Sequence, residues 1–279
     1  MKKRCVASKR GVEDVAPYND VGVTIEHIKA SLNRKRFPKE KTCKILLAKF
    51  YRLSPWRFSL RAFLCTDKEM RKNQESEYNM KSSERFLKYI KYSTASSETS
   101  GVTPSTDGQL VLAKALNDEL LSMGIKSTYN DLGYVYAVIP ATEGCENVPA
   151  IGFIAHMDTS PEFSGEGVKA QLIENYDGKD VVLGESGRTL KVSDFPHLKG
   201  LKGKTLITTD GTTLLGGDDK AGIAEIMTLA EMLLTKNIPH GKICIGFTPD
   251  EEIGEGADHF DVPLFGADFG YTVDVGGVG

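Results

Sequence analysis

His156 and Asp158 stand two residues apart, where the apolar run of residues 150–155 gives way to the polar loop "HMDTSPEFSG". Side chains at i and i+2 of an extended segment point the same way, so an imidazole and a carboxylate face one site from a strand end. The pair suits a metal centre, because an imidazole that binds a metal through one nitrogen needs a carboxylate or carbonyl on the other to fix its tautomer. A histidine closing a loop is the plainer reading of the same two residues. Asp218 and Asp219 follow Gly216 and Gly217 and open a helix in "LLGGDDKAGIAEI". The helix dipole favours carboxylates there, which accounts for one aspartate more readily than two. A carboxylate can also bridge two metal ions about 3.5–4 Å apart through its two oxygens. Asp250, Glu251 and Glu252 stand at the mouth of the strand "KICIGFT". They form either a solvated acidic loop or a metal ligand beside a general base, since neighbours in extended chain point to opposite sides. Asp274 ends the strand in "YTVDV". Four such strand ends point to a crevice, because ligands of open α/β sheets bind outside the carboxyl ends of the strands.

The elements that must position these residues are legible from periodicity. "SSERFLKYIKY" places Phe86, Leu87 and Ile90 on one helical face behind a Ser cap. "STDGQLVLAKALNDELLSMG" sets Leu112, Leu116, Leu120 and Met123 in helical register, with Gly124 as the stop. Strands are expected at residues 126–129 and 134–139 around a turn at 131–133, and the continuous apolar run 150–155 fits a strand covered on both faces. Residues 160–205 read as a long loop with short strands. "AGIAEIMTLAEMLLTK" reads as a helix, and "KICIGFT" and "FGYTVDV" as further strands. This alternation predicts an α/β fold, a mostly parallel sheet flanked by helices.

Composition sets the frame. Of the 279 residues, 40% are hydrophobic and 26% charged, with a formal net charge of −3, as in ordinary globular proteins. No apolar run approaches the roughly 18 residues of a membrane span. The five cysteines, Cys5, Cys43, Cys65, Cys145 and Cys244, are scattered without a C-x-x-C pair. That argues against a disulfide framework or a cysteine zinc cluster and fits a reducing, cytoplasmic setting. Residues 1–79 carry 19 Lys/Arg against 9 Asp/Glu, a basic extension expected to be poorly ordered and to add little to the fold. It has no nucleic-acid-binding motif, and Glu13, Asp14, Asp20 and Glu26 do not suit a transit peptide.

From about residue 80 to residue 279 the chain resembles the peptidase T family of tripeptide aminopeptidases, a branch of the two-zinc exopeptidases that include carboxypeptidase G-like and deacetylase-like enzymes. The likeness rests on "GFIAHMDTSPEFSG", "LITTDGTTLLGGDDKAGIAEIM", "IPHGKICIGFTPDEEIGEGADHFDV" and "YTVDVGGVG". It implies the N-terminal part of a zinc exopeptidase catalytic domain. By the resemblance, His156 and Asp274 hold a first zinc, Glu252 a second, and Asp218 bridges both. Asp158 orients His156, and Glu251 is the general base. The peptide bond after Asp218 is expected to be cis. The ligand atoms of His156, Asp218 and Asp274 should lie within about 5 Å of one another, given metal–ligand lengths of about 2.0–2.2 Å. His27, His197, His240 and His259 match no ligand position, whereas Lys220 and Thr159 are expected to support the site.

The resemblance also supplies a substrate, the N-terminal residue of a tripeptide, and no nucleic-acid or membrane partner. In the family the last ligand of the second zinc is a histidine beyond an inserted lid or dimerisation domain. Residues 80–279 contain neither, so the expectation is a truncated domain with the lid absent and no oligomerisation through it. About one zinc and no peptide hydrolysis are expected of this chain. Val275 stands where the family carries a glycine. The alternatives are an inactive one-zinc fragment, a binding protein using residues 1–79, or a related exopeptidase or deacylase acting on another small amide.

Overall fold

Residues 16–18, 80–184 and 186–274 are described by the structure, a computed structural model. Among these residues ten strands are assigned: β1 (Ala16–Tyr18), β2 (Lys126–Tyr129), β3 (Val135–Ile139), β4 (Ile151–His156), β5 (Ala170–Ile173), β6 (Val181–Leu183), β7 (Arg188–Leu190), β8 (Thr205–Thr209), β9 (Ile243–Thr248) and β10 (Phe269–Thr272). The α-helices among the described residues are α1 (Ser82–Tyr89), α2 (Asp107–Ser122), α3 (Gly217–Thr235) and the short α4 (Val262–Phe265).

The central sheet runs β10-β4-β9-β3-β2. Its β10–β4 and β4–β9 pairings are parallel, whereas β9–β3 and β3–β2 are antiparallel. The expected mostly parallel sheet is thus corrected to a mixed one. The physical reason is the tight turn between β2 and β3, which closes only an antiparallel pair, and β9 then joins the far side of β3 in the opposite sense. The parallel half matters most, because β10, β4 and β9 all deliver their C-terminal ends to one edge.

Strand alternation divides the core between the two faces of this sheet. Val135, Ala137 and Ile139 of β3, with Ile243, Ile245 and Phe247 of β9, join Ile151 and Ala155 of β4 in the main core. The same cluster takes in Phe86 from α1, Leu112, Leu116 and Leu120 from α2, and Ile223, Met227 and Ala230 from α3. The intervening residues Tyr136 and Cys244 face the other way and pack with Tyr134 and Phe265 of α4, with Phe260 against them. Cover on both faces explains why β9 is buried along its whole length.

Helix α1 is capped differently from expectation. Its N-cap is Lys81, whose N–H donates to the Glu84 carboxylate at 3.0 Å, and Ser82 is buried inside the first turn. Acidic reach-back does there what a serine hydroxyl does elsewhere.

The segment expected as a long loop with short strands holds β5, β6 and β7 and leads into β8. Strand β8 pairs antiparallel with β5 on one side and β1 on the other, and β6 pairs with β7. Tyr176, Val181, Leu183, Leu190, Leu198, Leu201 and Leu206 form a second small core beneath it. Widely spaced apolar residues supply that core, so no dense run announces it. The backbone of Ala16–Tyr18 is the described part of residues 1–79. The remaining expectations for that extension, and those for Val275, lie outside the described residues. Among the described residues, no helix is long and apolar enough to cross a membrane.

Candidate metal centre

His156 is the last residue of β4 and is 3% exposed, at the edge where β10, β4 and β9 end. Its Nδ1 lies 3.0 Å from the Asp158 carbonyl oxygen and 3.3 Å from Asp158 Oδ1, while Nε2 faces Asp218 Oδ1 at 2.8 Å. Glu251 Oε2 and Asp274 Oδ1 stand 3.8 and 4.0 Å from the same nitrogen. Asp274 follows β10 by two residues. Since Thr272 pairs with Ile154, continuing the register places Asp274 level with His156.

One ligand atom each from His156, Asp218 and Asp274 lies within 4.8 Å of the others. An imidazole already held through Nδ1, its Nε2 turned toward converging carboxylates, is a donor set that suits a divalent cation such as zinc. The Asp218–Asp219 peptide bond is cis, and both residues depart from helical backbone angles at the head of α3.

Electrostatics describe a site crowded with negative charge. Burial pushes the Asp219 carboxyl well above the usual carboxylate range, and the charges of Asp274 and Asp218 add to the shift while His156 opposes it. Burial likewise raises Glu252 to about 7, reinforced by the charge of Asp218. For His156, burial opposes protonation, but the hydrogen bonds to Asp158 and Asp218 outweigh it and hold the imidazole well above its ordinary value. Such a cluster gains from a bound cation, which replaces the protons it otherwise retains.

Buried contacts hold the backbone around these residues in place. Asp158 is fully buried, and besides facing His156 its two oxygens accept the backbone N–H groups of Glu251 and Glu252 at 2.9 and 3.1 Å. Asp219 lies outside the cluster formed by His156, Asp218 and Asp274. Its oxygens accept from the N–H of His156 at 3.3 Å and of Gly222 at 3.2 Å, tying β4 to α3. Lys220 is buried and donates through Nζ to the Tyr92 carbonyl at 2.8 Å, while Thr159 N–H donates to the Thr94 carbonyl. Both hold the site to the segment after α1. His240 is engaged with the Gly241 carbonyl through Nδ1, and His197 packs edge-on against Phe195.

Gly222 shows how tightly the site is built. A Cβ there would lie 2.3 Å from the Val273 carbonyl oxygen and 2.4 Å from Asp219 Oδ1. Gly222→Ala is therefore expected to push α3 away from the end of β10, costing about 1–3 kcal/mol of stability. Zinc affinity should fall with it, because Asp219 and Asp274 both border that contact. Calorimetric zinc titration together with a denaturant curve checks both effects, and unchanged values in the two would refute the close approach.

No protein-family model matches the chain. Over 198 residues it is 59% identical to peptidase T of Desulfitobacterium hafniense strain Y51, a match taking in 70% of this chain and 48% of that protein. Over that stretch the chain is homologous to peptidase T. Peptidase T of Clostridium novyi strain NT is 60% identical over 199 residues, with the same coverage of 70% and 48%. The chain thus spans about half the length of these peptidase T relatives. Among solved structures, aminopeptidase PepT from Bacillus cereus ATCC 10987 superposes with a TM-score of 0.50 at 26% identity, over 70% of this chain and 43% of that one.

Proposed function

We propose that this chain carries the metal-binding half of a zinc metallopeptidase that releases the N-terminal residue of tripeptides. The observation that supports the reading is the convergence of His156, Asp218 and Asp274 at one sheet edge, in a chain homologous to peptidase T. His156, Asp218 and Asp274 would hold a first zinc, and Asp218 with Glu252 would offer a second position. Zinc bound there supplies Lewis acidity, polarising the scissile carbonyl and lowering the pKa of water toward neutrality.

The chain's own residues do the rest. Asp158 holds the His156 tautomer through Nδ1 and fixes the backbone that presents Glu251 and Glu252. Glu251, its side chain 40% exposed toward the crevice, takes the proton of the attacking water and passes it to the departing amine.

The test begins with zinc titration of metal-stripped protein. One zinc per chain is expected to bind tightly where the imidazole stands, with a second held at least about tenfold more weakly between Asp218 and Glu252, whose donors are carboxylates. Affinity should fall as pH drops below 7. His156, Asp219 and Glu252 all retain protons at higher pH than usual, and zinc must displace those near it. His156→Ala should abolish the tight ion. A chain that binds no zinc, or whose tight ion survives His156→Ala, overturns the reading.

A further inference from the structure

We infer that Asp250 is a positioning residue that sets where Glu251 and Glu252 stand, by locking the turn after β9 to the start of α2. The inference rests on the metallopeptidase reading given above and adds to it a residue that touches neither ligand atoms nor substrate.

The turn must hold two consecutive glutamates in different roles, so its backbone has to be rigid. Asp250 is 0% exposed and adopts φ +54°, a left-handed conformation uncommon for residues other than glycine. Each of its polar groups is engaged. Its N–H donates to Gln109 Oε1 at 3.0 Å, and its carbonyl accepts from the N–H of Glu255 at 2.9 Å. Carboxyl Oδ2 accepts from the N–H of Ser105 at 2.8 Å. Oδ1 accepts from the Ser105 hydroxyl and from Gln109 Nε2, the latter at 2.7 Å.

Gln109 therefore grips both the side chain and the backbone of Asp250 from the first turn of α2, and α2 is anchored in the main core by Leu112, Leu116 and Leu120. From the opposite side Asp158 accepts the next two N–H groups, those of Glu251 and Glu252. Three successive peptide units are thus held between the end of β4 and the start of α2. A buried carboxyl serving only to cap α2 explains the bond from Ser105 N–H. It does not account for the Gln109 bond to the Asp250 amide or for the left-handed backbone.

Replacing the carboxyl with an amide removes one acceptor and places an N–H₂ where a donor already points, so the turn must rotate to relieve the clash. The consequence is directional. The first ion, held by His156, Asp218 and Asp274 from other elements, should be nearly untouched, whereas the Glu252-dependent position should weaken.

Cobalt(II), followed by its visible absorption and by calorimetry, reads the two steps separately in the full chain. Asp250→Asn is expected to keep the tight ion within about twofold and to weaken the second by about tenfold or more, as for other residues that orient ligands. Glu252→Gln should weaken the same step, and adding it to Asp250→Asn should cost little more. Gln109→Ala, which leaves the Asp250 carboxyl in place, should reproduce the effect in milder form and serves as the test if Asp250→Asn does not fold. Equal weakening of both ions, or a second ion unchanged in a folded variant while Glu252→Gln weakens it, overturns the inference alone. A wild-type chain that binds no cobalt, or one whose binding ignores Glu252→Gln, overturns the metal assignment and this inference with it.

Discussion

Glu251→Gln is expected to lower tripeptide hydrolysis by about 10²–10⁴-fold while leaving zinc content unchanged. The assay is best made in a chimaera in which the homologous segment of this chain replaces its counterpart in Desulfitobacterium hafniense peptidase T. The substitution keeps side-chain size and removes only the capacity to accept a proton. Glu251 lies 3.8 Å from His156 Nε2, close enough to reach a water beside the ligand atoms. Its backbone stays fixed by Asp158 whichever side chain it carries. Glu252→Gln should act in the opposite sense and deplete the second ion, since a carboxyl whose pKa stands near 7 beside the charge of Asp218 is stabilised by a cation. Loss of zinc with retained turnover in Glu251→Gln would show that the two roles are reversed.

Arg85→Ala should be the most destabilising change remote from the site, at about 3–5 kcal/mol, the usual result of removing one partner from a buried ion pair. Arg85 is 2% exposed on α1, with Nε donating to Glu119 Oε1 at 2.9 Å and its terminal nitrogens paired with Glu231 at 3.0 Å and donating to Thr228 at 3.2 Å. One guanidinium thus joins α1 to α2 and α3. Burial works against its charge, yet the hydrogen bond it donates to Glu119 and the charges around it raise its pKa above the ordinary arginine value. Removing it leaves Glu119 with Lys88 alone and Glu231 without its guanidinium partner. For a domain of this size the melting temperature should drop by roughly 6–20 °C, at about 2–4 °C per kcal/mol. Arg85→Lys should recover only part, because an ammonium cannot present separated donors to both α2 and α3. A shift below about 2 °C in Arg85→Ala, read by differential scanning calorimetry, would show that the network contributes little.

Local spacing accounts for the elements that were legible before folding. The apolar run before His156, the leucines of α2 at helical intervals and the buried run of β9 each name their element, because a strand or helix face repeats within a few residues. The same local rule put an imidazole and a carboxylate at one strand end, and the short range of "GGDD" and "PDEE" marked where other carboxylates gather. Long-range contacts settle the remainder. That β9 runs parallel to β4 yet antiparallel to β3 depends on pairings between segments about 90 residues and more apart, and a strand's own sequence does not encode the direction of its neighbour. Gly222 has an unremarkable helical setting until the Val273 carbonyl arrives from β10. Asp250 reads as one acid among three until Ser105 and Gln109 close on it across 145 and 141 residues of chain. Residue type marks a candidate ligand, but which carboxylate faces the His156 ring and which holds the backbone is set by what folding brings to its other side.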